Sequence, residues 1–285
     1  MIAQNFEYAA PTSLKEALEL LGGEDVKALA GGMSLIPILK LRLAAPGQLV
    51  DLGRIAELNY IREEGSTLRI GATTTHYQVE SSPLVRSKCP LLAEAASNIG
   101  DIQVRNMGTI GGSVAHADPA ADYPASLLAL EAKVGLASAK GKREMPIADF
   151  FVDTFTTALE PGEIVREVTA PVDDQTVGTS YQKMLQPASG FAIVGVAVRL
   201  RKAAGKVAMA RVGVTGLSGK PYRAVAVEKA LEGTAASPTD LQKAAALVAD
   251  GVEANSDLSA SGEYRKHLAR VYAMRALAIA WSRTA

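Results

Sequence analysis

The sequence predicts an α+β fold in two domains. Three observations carry this: a length of 285 residues, strands mixed with short helices in the first part, and three strands followed by three helices after residue 176. The polar stretch Asp173-Asp174-Gln175-Thr176 marks the boundary, giving domains at 1–175 and 176–285, the first divided into subdomains of about 1–54 and 55–175.

In the first subdomain, Ser13-Leu14-Lys15-Glu16 has the spacing of a capping box, and Leu14, Ala17, Leu18 and Leu21 follow at helical intervals until Gly22-Gly23. Residues 26–30 form a short apolar strand that runs into Gly31-Gly32, and Pro37 suits the first turn of the next helix. A buried strand over 48–52 closes the unit. Residues 60–72 are expected as a hairpin turning at Glu64-Gly65-Ser66, and 90–99 as an apolar helix ended by Gly100. The segment 101–119 is expected as a long irregular loop, of the kind that usually carries function. A helix over 120–130 and strands over 133–137 and 163–170 complete the domain.

Strands over 180–184, 191–201 and 206–217, the last two joined through Ala204-Gly205, predict a three-stranded antiparallel sheet. Helical periodicity follows over 224–231, 239–249 and 263–283, where Leu268, Val271, Tyr272, Met274, Ala278 and Trp281 are expected to pack in the core.

Thirty basic residues balance thirty acidic ones, so the overall field recruits neither nucleic acid nor an anionic membrane. One cysteine, Cys89, excludes an internal disulfide and any self-contained cysteine-ligated cluster. No signal peptide opens the sequence and no apolar run reaches the roughly twenty residues that span a bilayer, so a cytoplasmic protein is expected.

The chemistry concentrates in two glycine elements, Ala30-Gly31-Gly32-Met33-Ser34-Leu35 and Thr109-Ile110-Gly111-Gly112-Ser113. Paired glycines let backbone N–H groups approach phosphate oxygens without a Cβ in the way, and Ser34, Thr109 and Ser113 add hydroxyl donors. Either element alone could be a structural turn; together they point to a dinucleotide diphosphate held from two sides. Neither G-x-G-x-x-G after a strand nor a P-loop is present. Asp118 and Asp122 suit helix capping, and Asp122 equally suits a ligand contact. His116 with these two carboxylates lacks the convergent donors of a metal site, and none is expected.

With Ile70-Gly71-Ala72-Thr73-Thr74-Thr75-His76 and Asp118-Pro119-Ala120-Ala121-Asp122-Tyr123-Pro124, these elements give the chain a resemblance to the FAD-binding medium subunits of molybdenum hydroxylases of the carbon monoxide dehydrogenase and xanthine dehydrogenase type. The resemblance spans essentially the whole chain. It implies a two-subdomain FAD-binding domain of the vanillyl-alcohol-oxidase (PCMH) type, followed by the C-terminal α+β domain. It also implies noncovalent FAD gripped at its pyrophosphate by Gly31, Gly32, Met33, Ser34, Leu35 and Ile36 and by Thr109, Ile110, Gly111, Gly112 and Ser113. Ile99 and Gly100 would line the adenosine part, His116 would lie against the dinucleotide, Asp122 would bind a polar group, and Lys183 with Phe191 would approach the isoalloxazine. The chain departs from the pattern at Gly190, where related sequences often carry an aspartate.

The activity implied is electron transfer. Substrate would be oxidised at a molybdenum cofactor on a large subunit, electrons would cross [2Fe-2S] clusters on a small subunit, and FAD on this chain would pass them to an external acceptor. The complex expected is a dimer of heterotrimers, and no acid–base catalyst is expected here. Two other readings are a stand-alone FAD-dependent oxidoreductase, with Lys183 or His76 as base, and a flavin-free structural subunit.

Overall fold

The computed structural model describes residues 2–285. The Leu14–Leu21 helix forms as its pattern dictates, with Ser13 accepting from the Glu16 N–H and Leu14, Ala17, Leu18 and Leu21 buried. Only half of the expected capping box is made, because the Glu16 carboxylate receives the N–H of Thr12 rather than that of Ser13. This helix covers a three-stranded parallel sheet ordered Glu7–Ala9, Gln48–Asp51, Val26–Leu29. The strand Glu7–Ala9 is an addition to the expected elements, being a short edge strand with little apolar signature.

The second subdomain is built on an antiparallel sheet ordered Ile61–Glu64, Thr67–Gly71, Ile164–Pro171, Lys133–Ser138, Gly141–Pro146. Its central strand Ile164–Pro171 comes from the end of the domain, so the sheet closes the chain back onto the 60–72 hairpin. Leu68, Ile70, Val134, Leu136 and Val168 share one core with Leu91, Leu92, Ala95 and Ala96 of the Pro90–Ser97 helix. Each such large aliphatic side chain contributes about 1.5–3 kcal/mol on full burial.

Residues 101–119 correct the expected loop. They contain two short helices, Ile102–Met107 capped by Asp101 and Ile110–His116 capped by Thr109, and the second glycine pair lies inside the latter. Two further short helices, His76–Ser81 and Pro83–Lys88, precede the Pro90–Ser97 helix.

In the C-terminal part, Val177–Leu185, Ala192–Ala203 and Lys206–Thr215 pair antiparallel, and the two-residue strand Tyr222–Arg223 extends the edge. Ala204 and Gly205 both have positive φ (49° and 74°), the backbone a tight two-residue hairpin turn needs. The Gly262–Ser282 helix packs on this sheet through Leu268, Ala269, Ala273, Ala276, Leu277 and Ala280. The stripe is richer in alanine than the sequence pattern implies: Ala278 is exposed, and Tyr272, Met274 and Trp281 are only partly buried. Close approach explains this, since a Cβ at Gly178 would lie 2.0 Å from the carbonyl of Ala280.

The Asp122–Ala129 helix joins the domains. All eight of its residues are buried, which for so short a helix means that both faces are covered. One face meets the core of the second subdomain, and the other meets the C-terminal sheet, where a Cβ at Gly213 would fall 2.0 Å from the carbonyl of Ala125. Among the described residues, no helix is long and apolar enough to cross a membrane.

Candidate functional site

A cleft of about 1040 Å³ runs between the two subdomains and is closed on one side by the C-terminal loop Ser189-Gly190-Phe191. Both glycine elements line it, and the first packs on the backbone that leads into the second: a Cβ at Gly31 would lie 1.9 Å from the carbonyl oxygen of Met107 and 2.7 Å from Gly108 Cα. Gly31 is therefore required by backbone contact. Gly32, with φ +74°, turns the chain from the Val26–Leu29 strand into the Leu35–Lys40 helix.

The two elements do different work. Among the described residues, none of the N–H groups of Gly31, Gly32, Met33, Ser34 and Leu35 donates to a protein acceptor. The second element has spent its amides from Ile110 to Ser113. Ile110 N–H donates to Thr74 (3.0 Å), Gly111 N–H to Ala72 (2.9 Å), Gly112 N–H to Thr109 Oγ1 (3.1 Å) and Ser113 N–H to the Thr109 carbonyl (3.0 Å). Thus 110–113 does not form a second cradle of open amides. Its glycines supply closeness: Gly111 packs against Ala72, where a Cβ would sit 2.4 Å from the Ala72 methyl, and Gly112 faces Ala30. The hydroxyls of Ser34 and Ser113 make no hydrogen bond with the described residues, so both can serve a ligand.

Met33, Leu35, Ile99, Gly100, Thr109, His116, Asp122 and Phe191 also line the cleft. Ile110, Ile36 and Lys183 do not. The Ile110 side chain is fully buried in the core, and Ile36 packs beside Gly32 with its amide donating to the Gly32 carbonyl (2.9 Å). Lys183, whose side chain is 2% exposed, pairs with Asp122 at 2.9 Å and donates to the carbonyl of Asn98 (2.8 Å).

Asp122 is held from three directions. Lys183 and the Tyr181 hydroxyl (2.6 Å) reach it from the C-terminal sheet, while its backbone begins the buried helix. Burial pushes its carboxyl up to about 6, against the opposing pull of Lys183 and Tyr181. Neither Asp118 nor Asp122 caps the helix as expected: Ala121 stands at the N-cap without a side-chain bond, and Asp122 is the first helical residue. The Asp118 carboxylate instead closes the turn before it, accepting from the Ala120 N–H at 2.8 Å. His116 is half-buried 5.1 Å from the ring of Phe155, and burial lowers its pKa against the pull of Asp118.

Phe191 stands at the rim, 42% exposed, on a loop closed by Gln186 N–H to Phe191 and Gly190 N–H to Gln186, each 2.8 Å. A Cβ at Gly190 would be 3.5 Å from Gly100 Cα, so Ile99 and Gly100 share one wall with the Phe191 loop. Thr73, His76 and Phe155 line the cleft as well; none is among the FAD contacts the resemblance implies, and His76 entered only as a candidate base in the stand-alone reading. A histidine after three threonines at the end of a strand was the available sign for the first two; Phe155 carries no local signal.

An open row of amides in a glycine loop, two free hydroxyls and a long cleft with apolar walls fit a dinucleotide with a flat ring system. Residues 4–173 match the family described as FAD binding domain in molybdopterin dehydrogenase, and residues 179–280 match the CO dehydrogenase flavoprotein C-terminal domain. The chain is 42% identical to the carbon monoxide dehydrogenase medium chain of Hydrogenophaga pseudoflava over 100% of both chains. It is 39% identical to the glyceraldehyde dehydrogenase medium chain of Sulfolobus acidocaldarius, over 97% of this chain and 98% of that one. Among solved structures, carbon monoxide dehydrogenase from Hydrogenophaga pseudoflava lacking the Mo-pyranopterin moiety superposes with a TM-score of 0.97 at 44% identity, covering 100% of both chains. Quinoline 2-oxidoreductase from Pseudomonas putida 86 superposes with a TM-score of 0.95 at 31% identity, also over 100% of both. With its FAD-binding domain, its flavoprotein C-terminal domain and this full-length likeness, the chain belongs to the FAD-binding medium subunits of the molybdenum hydroxylase family, oxidoreductase components of the carbon monoxide dehydrogenase type.

Proposed function

We propose that this chain is the electron-transfer subunit of a cytoplasmic molybdenum hydroxylase complex, carrying electrons from [2Fe-2S] clusters on a small subunit to an external acceptor while a large molybdenum-binding subunit oxidises the substrate. The observation that carries this reading is the row of five open amides from Gly31 to Leu35 beside the second glycine element, in a cleft shared by both domains. FAD bound there would supply the redox chemistry.

In this reading the 31–35 amides and the Ser34 and Ser113 hydroxyls bind the diphosphate, and Gly111 and Gly112 let it approach the Ile110–His116 helix. Asp122 and Phe191 belong to the wall nearest the C-terminal domain. The ammonium of Lys183 is occupied by Asp122 and Asn98, which favours a relay over a stand-alone oxidase with a lysine base. The only cysteine, Cys89, is fully buried, so the iron–sulfur clusters belong on another chain; noncovalent FAD is part of the same proposal. The domain division at 175/176 and assembly as a dimer of heterotrimers are parts of the same proposal.

The visible spectrum of the purified chain and of its co-expressed complex, followed by acid release, tests this. Releasable FAD reduced only when the partner subunits and substrate are present is the expected result. A fully assembled, active complex without flavin would overturn it.

Phe191→Ala separates ring contact from folding. Truncation of this exposed side chain is expected to change stability by no more than about 0.5 kcal/mol, while the flavin reoxidation rate and potential shift measurably. Unchanged reoxidation and potential would remove Phe191 from the ring environment.

A further inference from the structure

Below the glycine elements, the segment 72–76 is stitched to 108–111. Gly111 N–H donates to Ala72 (2.9 Å), Ile110 N–H to Thr74 (3.0 Å) and His76 N–H to Gly108 (2.9 Å), and Thr75 bridges Thr109. This pairing brings Thr73 and His76 to the cleft from beneath the second glycine element. Both are buried, at 5% and 4% exposure. The imidazole is fixed on several sides: a Cβ at Gly108 would lie 2.6 Å from His76 Nε2, and the Tyr123 ring is 5.3 Å away. Yet His76 Nδ1 and Thr73 Oγ1 are buried without any hydrogen-bond partner among the described residues. Buried polar atoms are nearly always paired, and two unpaired ones on residues that line the cleft mark a missing partner.

We infer that Thr73 and His76 are positioning residues that hydrogen-bond the bound dinucleotide, directly or through one ordered water, as uncharged groups. This inference rests on FAD being the ligand of the cleft. The imidazole is suited to an uncharged role, because burial and the nearby Arg105 guanidinium lower its pKa to about 4. Arg105 itself is committed elsewhere, pairing with Glu80 (2.9 Å) and donating to the carbonyls of Ile99 (3.1 Å) and Gly100 (3.0 Å). The wall thus holds the cofactor by geometry, with its one nearby cation tied down.

The chain has three histidines, which makes the test direct. In the full chain with 15N-labelled imidazoles, His116→Gln and His267→Gln assign the signals, and FAD is then titrated into flavin-stripped protein. The expected result is a neutral His76 whose ring-nitrogen signals move on FAD binding while those of His267 stay. His76→Leu and Thr73→Val are each expected to weaken FAD binding about tenfold, the order expected for one lost hydrogen bond to a charged ligand, with His76→Gln and Thr73→Ser restoring most of it. If His76→Leu does not fold, the isosteric Thr73→Val and the wild-type titration still decide. FAD binding that leaves the His76 signals unmoved, with Thr73→Val at wild-type affinity, overturns this inference alone; a wild-type chain that binds no FAD overturns the reading of the cleft.

Discussion

Gly31→Ala is expected to abolish FAD retention, lowering affinity about a hundredfold, because the added methyl has nowhere to go. Its Cβ would sit 1.9 Å from the Met107 carbonyl oxygen, 2.6 Å from the Met107 carbonyl carbon and 2.7 Å from Gly108 Cα. These are backbone atoms, pinned by Gly108 N–H to Val104 (2.7 Å) and His76 N–H to Gly108 (2.9 Å). The side that yields is the 31–35 loop, whose only ties are its flanking strand and helix. Overpacking costs about 1–3 kcal/mol, and moving the loop takes the open amides away from the diphosphate. Gly32→Ala makes the informative contrast: at φ +74° an alanine costs about 1–2 kcal/mol of backbone strain, but its Cβ meets the flexible Ile36 side chain at 3.0 Å. That variant should keep part of its flavin. Gly65→Ala, at φ +60° with open space around it, should lose stability but no flavin. Flavin-to-protein ratio and FAD titration, read beside the melting temperature, check all three. Full flavin content in Gly31→Ala at normal stability would remove the loop from the site.

Much of the fold was legible because its signals are local. The Leu14–Leu21 helix, the 60–72 hairpin and the three long C-terminal strands are each set by short-range period and turn chemistry, and each lies within a few residues of its expected place. The 101–119 segment was not. Its helices are six and seven residues long, too short for a periodic stripe, and the glycine pair that signals a loop is tolerated inside the second because it packs on Ala72 and Ala30. The strand Glu7–Ala9 exists only because Gln48–Asp51 lies beside it.

The same distinction governs the site. The glycine loop at 31–35 can be read from spacing alone. The amides of Gly112 and Ser113 are consumed locally by Thr109, but that those of Ile110 and Gly111 are consumed depends on Thr74 and Ala72, more than thirty residues earlier, which no spacing within the element could show. Lys183 was placed against the ring by resemblance, yet it lies against Asp122, 61 residues away in sequence. Its role follows from where it sits.

Lys183→Met is therefore expected to act on the joint between the domains, destabilising the protein by about 3–5 kcal/mol, the usual effect of removing one partner of a buried ion pair. Lys183 and Tyr181 belong to a C-terminal strand, Asp122 starts the helix shared by both domains, and Asn98 lies just past the Pro90–Ser97 helix. Without the ammonium, the Asp122 carboxylate is left buried with the Tyr181 hydroxyl alone. The double variant Lys183→Met with Asp122→Asn should recover most of the loss, since no charge is then stranded. The pH dependence has a definite sign. A carboxyl raised by folding carries no penalty below its unfolded value of 3.8, and the penalty grows as pH rises to its folded value of about 6. Removing Lys183 takes away an opposing charge, so the window extends upward and the deficit against wild type is largest above neutrality and vanishes in acid. Denaturant titrations of the three proteins at acid and mildly alkaline pH check this, and a Lys183→Met deficit independent of pH would overturn it. Because the Phe191 loop continues the same strand, loosening this joint should also lower FAD retention, although Lys183 never lines the cleft. The cofactor wall and the domain interface are one structure, held by an ion pair that the ligand need not touch.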